Sequence, residues 1–446
     1  MIFTKKIDCI FVCLFYELRY NINIMENIKD GENWLKIDNA GLIYPSASSE
    51  KWNNVFRVSA YLKEDVDPKV LQQALNIVIL RFPNLDVAIR RGFFWYYFQS
   101  LNEYPKVQEE KTYPCRRMEL NSKKHLFRVL YYKNKISFET FHSLTDGNGA
   151  INFLNCLICC YLNLLGAEIN EKELEIDYKD KPSMEDIEDS FKRFQDDSGN
   201  GKRLSRKAYQ IYGTPEQNGK LNVISAVLSV NNLHRVAKQN NATITQFLVA
   251  LYAKAILNYK EFTLQKKRPV VISVPINLRK FFDSKTQRNF SSWIDIVFNE
   301  KNKYEVQDLI EITKQQMSVV SKEYLQKNIN TNVSTEKNIF VRIMPLFIKK
   351  LALQLSYKFF GEGSYTTVLT NLGNVKTPAG FEKYVDRYEC LLCKSIINAI
   401  NIGVVSFQDK ISITFTGAIK EHFIEREFCK LLKSYGIDIQ IYTNIK

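Results

Sequence analysis

The segment Phe141-His142-Ser143-Leu144-Thr145-Asp146-Gly147 lies between two stretches of opposite character. Upstream, Leu126–Tyr132 and Lys135–Phe141 read as two strands of a hairpin turning through Asn134, and the second delivers the chain directly to His142. Downstream, Gly147 and Gly149 permit a sharp turn into an apolar run from Ala150 to Leu165. That run contains Asn152, Asn155 and Asn163, so it reads as a core helix and not as a membrane span. A strand end fixes the backbone of an imidazole and lets the ring project into a cleft. The chain has only four histidines, and imidazole is the side chain whose pKa suits proton transfer near neutrality. His142 is therefore the candidate base. His125 follows Lys123 and Lys124, His234 sits in a polar helix and His422 near a helix start, so all three are expected on the solvated surface. Asp146 is four residues on in a loop, where helical spacing does not bring it to His142; it is expected to lock the turn or to pair with a buried cation.

Outward from this segment, strand and helix patterns alternate. Val55–Leu62 reads as a strand, and Asp67-Pro68 opens an amphipathic helix to about Leu80, stopped by Pro83. Leu85–Arg91 and Phe93–Gln99 form a second strand pair turning at Gly92. Between about Glu185 and Lys220 the composition becomes acidic, then Gly/Asn/Ser-rich at Ser198-Gly199-Asn200-Gly201, then basic, which marks a boundary. Beyond it, strands are expected at Val223–Val230, Val270–Pro275, Trp293–Phe298, Tyr365–Thr370, Ala399–Phe407, Ile411–Thr416 and Ile437–Tyr442. Helices are expected from Thr243, a candidate N-cap, through Leu257, then at Val306–Gln326, Phe340–Tyr357 and Glu421–Leu432. Both halves mix strands and helices in similar proportion, so the expected class is α/β, in two subdomains. The division is 25–200 and 221–446, joined by a linker over 201–220. Residues 1–24 hold an apolar stretch of eight, Cys9–Tyr16, too short to span a bilayer. They are expected to be a non-native or disordered extension, with Met25 as the natural start and a short peripheral anchor as the alternative.

With 446 residues and 45% hydrophobic content the chain exceeds the ~250–300 residues at which single cores stop growing. The formal charge of +14 favours acidic partners. No zinc-finger spacing, RNP signature or helix-turn-helix context accompanies it, so nucleic-acid binding is not expected. Nine cysteines in mostly apolar surroundings fit a reducing, cytoplasmic setting better than a disulfide framework. Cys156, Cys159 and Cys160 lack a nearby histidine or second cysteine pair at zinc-ligand spacing and are expected to be buried small hydrophobes; no metal site is expected.

The His-x-x-x-Asp-Gly pattern alone recurs by chance. In its strand–helix context the segment resembles the HHxxxDG signature of the CoA-dependent acyltransferase and condensation-domain superfamily, whose members share the chloramphenicol acetyltransferase-like fold. Val274-Pro275-Ile276-Asn277-Leu278-Arg279 is similar to the family's Pro-x-Asn/Asp-Leu-Arg segment, and Lys280–Phe290 is similar to the stretch directly after that segment in the alcohol acetyltransferase branch. Thr370-Asn371-Leu372-Gly373 resembles the Ser-Asn-Leu-Gly strand end near the active-site channel, and Phe82-Pro83-Asn84-Leu85 the close of the opening unit. The resemblance runs from about Glu26 to the C-terminus. Phe141 replaces the first histidine of the pair, which argues against a peptide-forming condensation domain.

The resemblance implies two subdomains with a channel between them and His142 at its midpoint. It implies acyl transfer from acyl-CoA, a co-substrate and not a bound cofactor, to an alcohol or amine, with His142 as general base. Asp146 would pair with Arg279, Gly147 would let substrate approach, and Thr370 or Asn371 would contact the oxyanion or substrate. Two alternatives are a carrier-protein-dependent condensation-like enzyme and a non-catalytic binding relative. Lys266, Lys267 and Arg268, with Lys260 upstream, are candidate contacts for the coenzyme's phosphates, although a solvated loop is the simpler reading. The helix Phe340–Tyr357, with Lys349, Lys350 and the adjoining Lys358, is a candidate for weak membrane association, although Pro345 and its apolar flanks fit an interior helix better. A monomer is expected, since one chain holds both halves.

Overall fold

The structure is a computed structural model describing residues 34–48, 53–101, 103–120, 122–201, 207–217, 220–261, 267–299, 303–356, 362–392 and 398–445. The expected extension 1–24, Lys266 and Lys358 lie outside these residues. The strands are β1 (Trp34–Lys36), β2 (Val55–Leu62), β3 (Val87–Arg91), β4 (Tyr96–Ser100), β5 (Val107–Glu109), β6 (Phe127–Tyr132), β7 (Lys135–Phe141) and β8 (Asn222–Ser229). They continue with β9 (Val270–Asn277), β10 (Ser291–Phe298), β11 (Thr367–Asn374), β12 (Val385–Leu391), β13 (Ile400–Phe407), β14 (Lys410–Gly417) and β15 (Gln440–Thr443). The helices that matter here are α1 (Ile43–Ala47), α2 (Pro68–Val78), α3 (Gly147–Leu164), α4 (Ile244–Lys260), α5 (Val306–Met317), α6 (Lys322–Lys337), α7 (Leu346–Ser356) and α8 (Phe423–Ser434).

Two mixed sheets carry the architecture, one of five strands in the order β12-β2-β7-β6-β5 and one of seven in the order β10-β9-β11-β13-β14-β8-β15. A three-stranded sheet, β1-β4-β3, sits beside them. The fold class is thus α/β in two halves. The first half packs α2 and α3 on the five-stranded sheet. Asp67 caps α2 by accepting from the amides of Lys69 and Val70, and Pro68 supplies a preset φ at its first position. Leu71, Ala74, Leu75 and Val78 recur at helical spacing and turn inward, as does most of α3 from Gly149 to Leu162. Cys156, Cys159 and Cys160 are buried on α3 as unpaired thiols. In the second half, Thr243 and Gln246 form a reciprocal capping box that starts α4 against the seven-stranded sheet.

The halves exchange structure. Strand β12 comes from the second half but pairs antiparallel with β2, Cys390 opposite Val58, and so completes the first half's sheet. It also touches the other sheet: Ser412 Oγ donates to the Tyr388 carbonyl at 2.6 Å, and a Cβ on Gly403 would stand 2.3 Å from the Cys390 carbonyl oxygen. A cut at one position in the sequence therefore does not separate the two halves.

Two long helices read from the sequence are broken. The run expected over Val306–Gln326 stops at Met317, and Ser321 caps α6 as a new helix by accepting from the Tyr324 amide. The run expected over Phe340–Tyr357 divides at Pro345, which cannot donate to the preceding turn, into a short helix Ile339–Ile343 and α7. Leu346 is buried, but most of the run's apolar side chains do not face the interior: Phe340 is 73% exposed, Phe347 62% and Leu351 60%.

Candidate active site

Strand β7 ends at Phe141, and the next residue turns out of the sheet. The His142 amide donates to the carbonyl of Asn54 at 2.9 Å. Asn54 holds φ at 53°, a left-handed conformation that asparagine tolerates better than most residues, and its side-chain amide donates to the Tyr44 carbonyl at 3.3 Å. Asn54 thereby ties His142 to the helix that carries Tyr44. Tyr44, on α1, stacks on the His142 ring at 4.7 Å between centroids and 17° between planes, and Phe56 of β2 flanks it at 4.8 Å. Burial between these rings pushes the imidazole pKa below its ordinary 6.5, against the opposing pull of the ring's own backbone carbonyl and the Asp146 charge. The ring is thus neutral at pH 7, the state a base needs.

The tautomer is set by the neighbours. His142 Nδ1 lies 3.1 Å from Asn289 Oδ1, while Asn289 Nδ2 donates to Asp38 Oδ2 at 3.3 Å and to the Ser143 carbonyl at 3.4 Å. With its amide nitrogen turned to two acceptors, Asn289 presents oxygen to the ring. Nδ1 must then carry the proton, which leaves the lone pair on Nε2. Asp38 is itself fixed by the Gly41 amide at 2.6 Å and by Arg288 Nε at 3.3 Å, and burial pushes its carboxyl up to about 6. This line of groups, from His142 through Asn289 and Asp38 to Arg288, was not recognised in the sequence. Asn289 lay inside the Lys280–Phe290 segment, but nothing about an isolated Gln-Arg-Asn-Phe marks which amide would meet the ring.

Asp146 turns away from His142. Its Oδ1 accepts from the amides of Asn148 and Gly149 at 3.1 and 3.2 Å and caps α3, while Oδ2 accepts from Arg279 Nη1 at 2.7 Å and from the Phe290 amide at 2.9 Å. Arg279 also donates to the carbonyls of Thr286 and Arg288 at 2.6–3.0 Å. Both side chains of the pair are under one-tenth exposed. They join the first turn of α3 to the segment between β9 and β10, and that segment also carries Asn289. His142, Asp146, Arg279 and Asn289 thus meet where the two halves touch.

Strands β9 and β11 pair in parallel only at Thr367–Ile272 and Val368–Ser273, then separate. Past that point β11 bulges along β13, and Gly373 takes a φ of 78° that a side chain would resist. Here Asn371 donates one amide hydrogen to Thr245 Oγ1 at 2.9 Å and accepts from the Gly373 amide. The second amide hydrogen of Asn371 remains, so Asn371 and Thr370, both half-buried on this strand, are the candidate donors to an oxyanion. Leu372 reaches the other half: a Cβ on Gly147 would stand 2.5 Å from Leu372 Cδ2.

Other expected residues lie elsewhere. Lys260 is buried, its ammonium 5.6 Å from the Tyr209 ring and bonded to the Arg268 carbonyl, so it is not offered to a phosphate. Two of the histidines expected on the open surface are paired: His125 Nε2 lies 2.9 Å from Asp86 Oδ1, and His422 Nδ1 lies 3.5 Å from buried Glu425, whose carboxylate raises the imidazole pKa. Short-range sequence context did not reveal Asp86 as a partner 39 residues away. Among the described residues, no three metal-ligating side chains cluster.

The chain shares its two-subdomain, chloramphenicol acetyltransferase-like fold with solved structures of acyltransferases and condensation domains. Trichothecene 15-O-acetyltransferase from Fusarium sporotrichioides superposes with a TM-score of 0.58 at 11% identity, covering 91% of this chain and 96% of that one. Polyketide synthase associated protein 5 from Mycobacterium tuberculosis gives 0.57 at 12%, over 90% and 97%. The starter condensation domain of rhizomide synthetase, in complex with C8-CoA, gives 0.58 at 12%, over 90% and 95%. No protein-family model matches the chain, and neither does any curated sequence.

Proposed function

We propose that this protein is an acyltransferase that moves an acyl group from acyl-CoA to an alcohol or amine, O-acylation in the manner of the alcohol acetyltransferases being the leading case. The observation that carries this reading is the contact of His142 Nδ1 with Asn289 Oδ1 at 3.1 Å, which assigns the ring proton to Nδ1 and leaves the Nε2 lone pair to a substrate. The acceptor's hydroxyl attacks the thioester carbonyl while its proton passes to Nε2. The tetrahedral intermediate then collapses, the C–S bond breaks, and the imidazolium returns the proton to the CoA thiolate. No acyl-enzyme is required. The Asp146–Arg279 pair holds the loop in register, Gly147 leaves room beside the reacting atoms, and Thr370 or Asn371 is the candidate donor to the oxyanion. The names of the structural neighbours support this reading, one being an O-acetyltransferase and another a domain bound to an acyl-CoA.

The test is release of free CoA thiol from acetyl-CoA and longer acyl-CoAs across a panel of alcohols and amines, for wild type and His142→Ala. Acceptor-dependent release that the variant loses would establish the reaction. Release from carrier-loaded acyl groups alone would identify a carrier-dependent enzyme, and none from either donor would indicate a binding protein.

A further inference from the structure

Among the described residues, most of the highly exposed large apolar side chains cluster around α7. Phe340 and Ile339 on the short helix before it, Phe347, Ile348 and Leu351 on α7 itself, and Phe93 at the tip of the β3–β4 hairpin all stand open to solvent, Phe93 at 70%. These elements form one face. The Leu346 amide donates to the Phe93 carbonyl at 2.8 Å, and Lys349 Nζ donates to the Phe94 carbonyl at 2.9 Å while lying 3.4 Å from the centre of the Trp95 ring. Contiguous apolar surface of this kind marks an interaction site.

Charge identifies the partner. From Lys337 to Ala352 the sequence holds Lys337, Arg342, Lys349 and Lys350 and no carboxylate, and the hairpin from Val87 to Ser100 adds Arg90 and Arg91 and likewise holds no carboxylate. Lys337, Arg342 and Arg91 are exposed around the apolar patch. A second copy of this chain in a two-fold contact would set these cations against themselves. A surface with an apolar interior and anionic headgroups satisfies both parts of the patch, and aromatic side chains ringed by Lys and Arg are what such an interface takes up. Among the described residues no helix is long and apolar enough to cross a membrane, so this face would lie on the bilayer and not span it.

We propose that α7, the helix Ile339–Ile343 and the tip of the β3–β4 hairpin dock on an anionic lipid bilayer. This goes beyond acyl transfer and does not depend on it. The position is nevertheless close to the site, because α7 packs against α1, and α1 presents Tyr44 to His142.

The experiment is co-sedimentation of the full chain with phosphatidylcholine vesicles and with phosphatidylcholine–phosphatidylserine vesicles, without any acyl donor. The wild type should bind the mixed vesicles, less at high salt and less on phosphatidylcholine alone. Phe340→Ser with Phe347→Ser should lower partitioning at least tenfold, and Arg342→Glu with Lys350→Glu should remove the preference for phosphatidylserine. Thermal unfolding checks that each variant is folded. Phe340→Trp, a conservative change, gives an independent reading: brominated phosphatidylcholine should quench its added fluorescence. No vesicle binding by the wild type, binding undiminished in the folded double serine variant, or a bound Phe340→Trp protein whose added fluorescence is not quenched would each overturn the proposal. So would a concentration-dependent dimer, abolished by the serine variants, in a protein that ignores vesicles.

Discussion

Replacing Asp146 by asparagine changes one atom and should cost about 3–5 kcal/mol of stability. The carboxylate accepts four hydrogen bonds, from the amides of Asn148, Gly149 and Phe290 and from Arg279. Asparagine can keep its oxygen on the first turn of α3, but its NH2 then faces two donors, Arg279 Nη1 and the Phe290 amide. An Arg279 side chain 9% exposed is left without its counter-charge. Arg279→Met removes that stranded cation, so the double variant should recover part of the loss, with a coupling energy of about 2–3 kcal/mol. Chemical denaturation followed by tryptophan fluorescence measures all four corners of the cycle. The substitution also has a chemical readout, because Asp146 supports the protonated form of His142. The acid limb of the pH–rate profile should therefore move to lower pH in Asp146→Asn. A loss below about 1 kcal/mol with no coupling to Arg279 would show that the pair is not the buried clamp described here.

Three further outcomes are expected. The kcat/KM profile should be flat above neutrality and fall on the acid side with a midpoint below 6.5, because burial favours the neutral imidazole and only that form accepts a proton; a midpoint at or above 7 would contradict the site's electrostatics. Asn289→Leu should lower kcat about fivefold, the value of one hydrogen bond of ~1 kcal/mol, leave KM nearly unchanged and shift the acid limb downward, whereas a purely structural role would leave the profile in place. Gly149→Ala should destabilise the protein by about 1–3 kcal/mol, since the new methyl would stand 2.4 Å from the Gln287 carbonyl oxygen, while Gly147→Ala, which meets only the end of Leu372, should melt within a few degrees of wild type.

What the sequence disclosed about this fold was local. Strand β7 and the cap at Thr243 were readable because alternation and hydroxyl capping act over a few residues, and β2 has the limits expected from its pattern. Strand β12 was not found. Asp386, Arg387 and Glu389 interrupt its apolar pattern, and what reconciles them with a sheet lies far away in the chain: the Tyr61 hydroxyl donates to Glu389 at 3.2 Å, and the Arg387 guanidinium lies 3.6 Å from the Tyr61 ring. The same limit applies at the site. His142 stood out through its rarity and its place after a strand, but its partner Asn289 is 147 residues on and belongs to a loop from the other half. The α7 region misled for the opposite reason. An apolar helix is usually buried, and composition cannot tell burial from exposure to a non-aqueous surface.

The placement of β12 has a consequence for biosynthesis. During translation, the five-stranded sheet presents β2 as an open edge until residues 385–391 have left the ribosome. Unpaired backbone donors and acceptors along a strand of eight mostly buried residues are a template for pairing with another chain. The nascent first half thus waits, exposed, for a strand encoded about 330 codons after its partner, and the interval is a window in which chaperones or slow growth would raise the yield of folded protein.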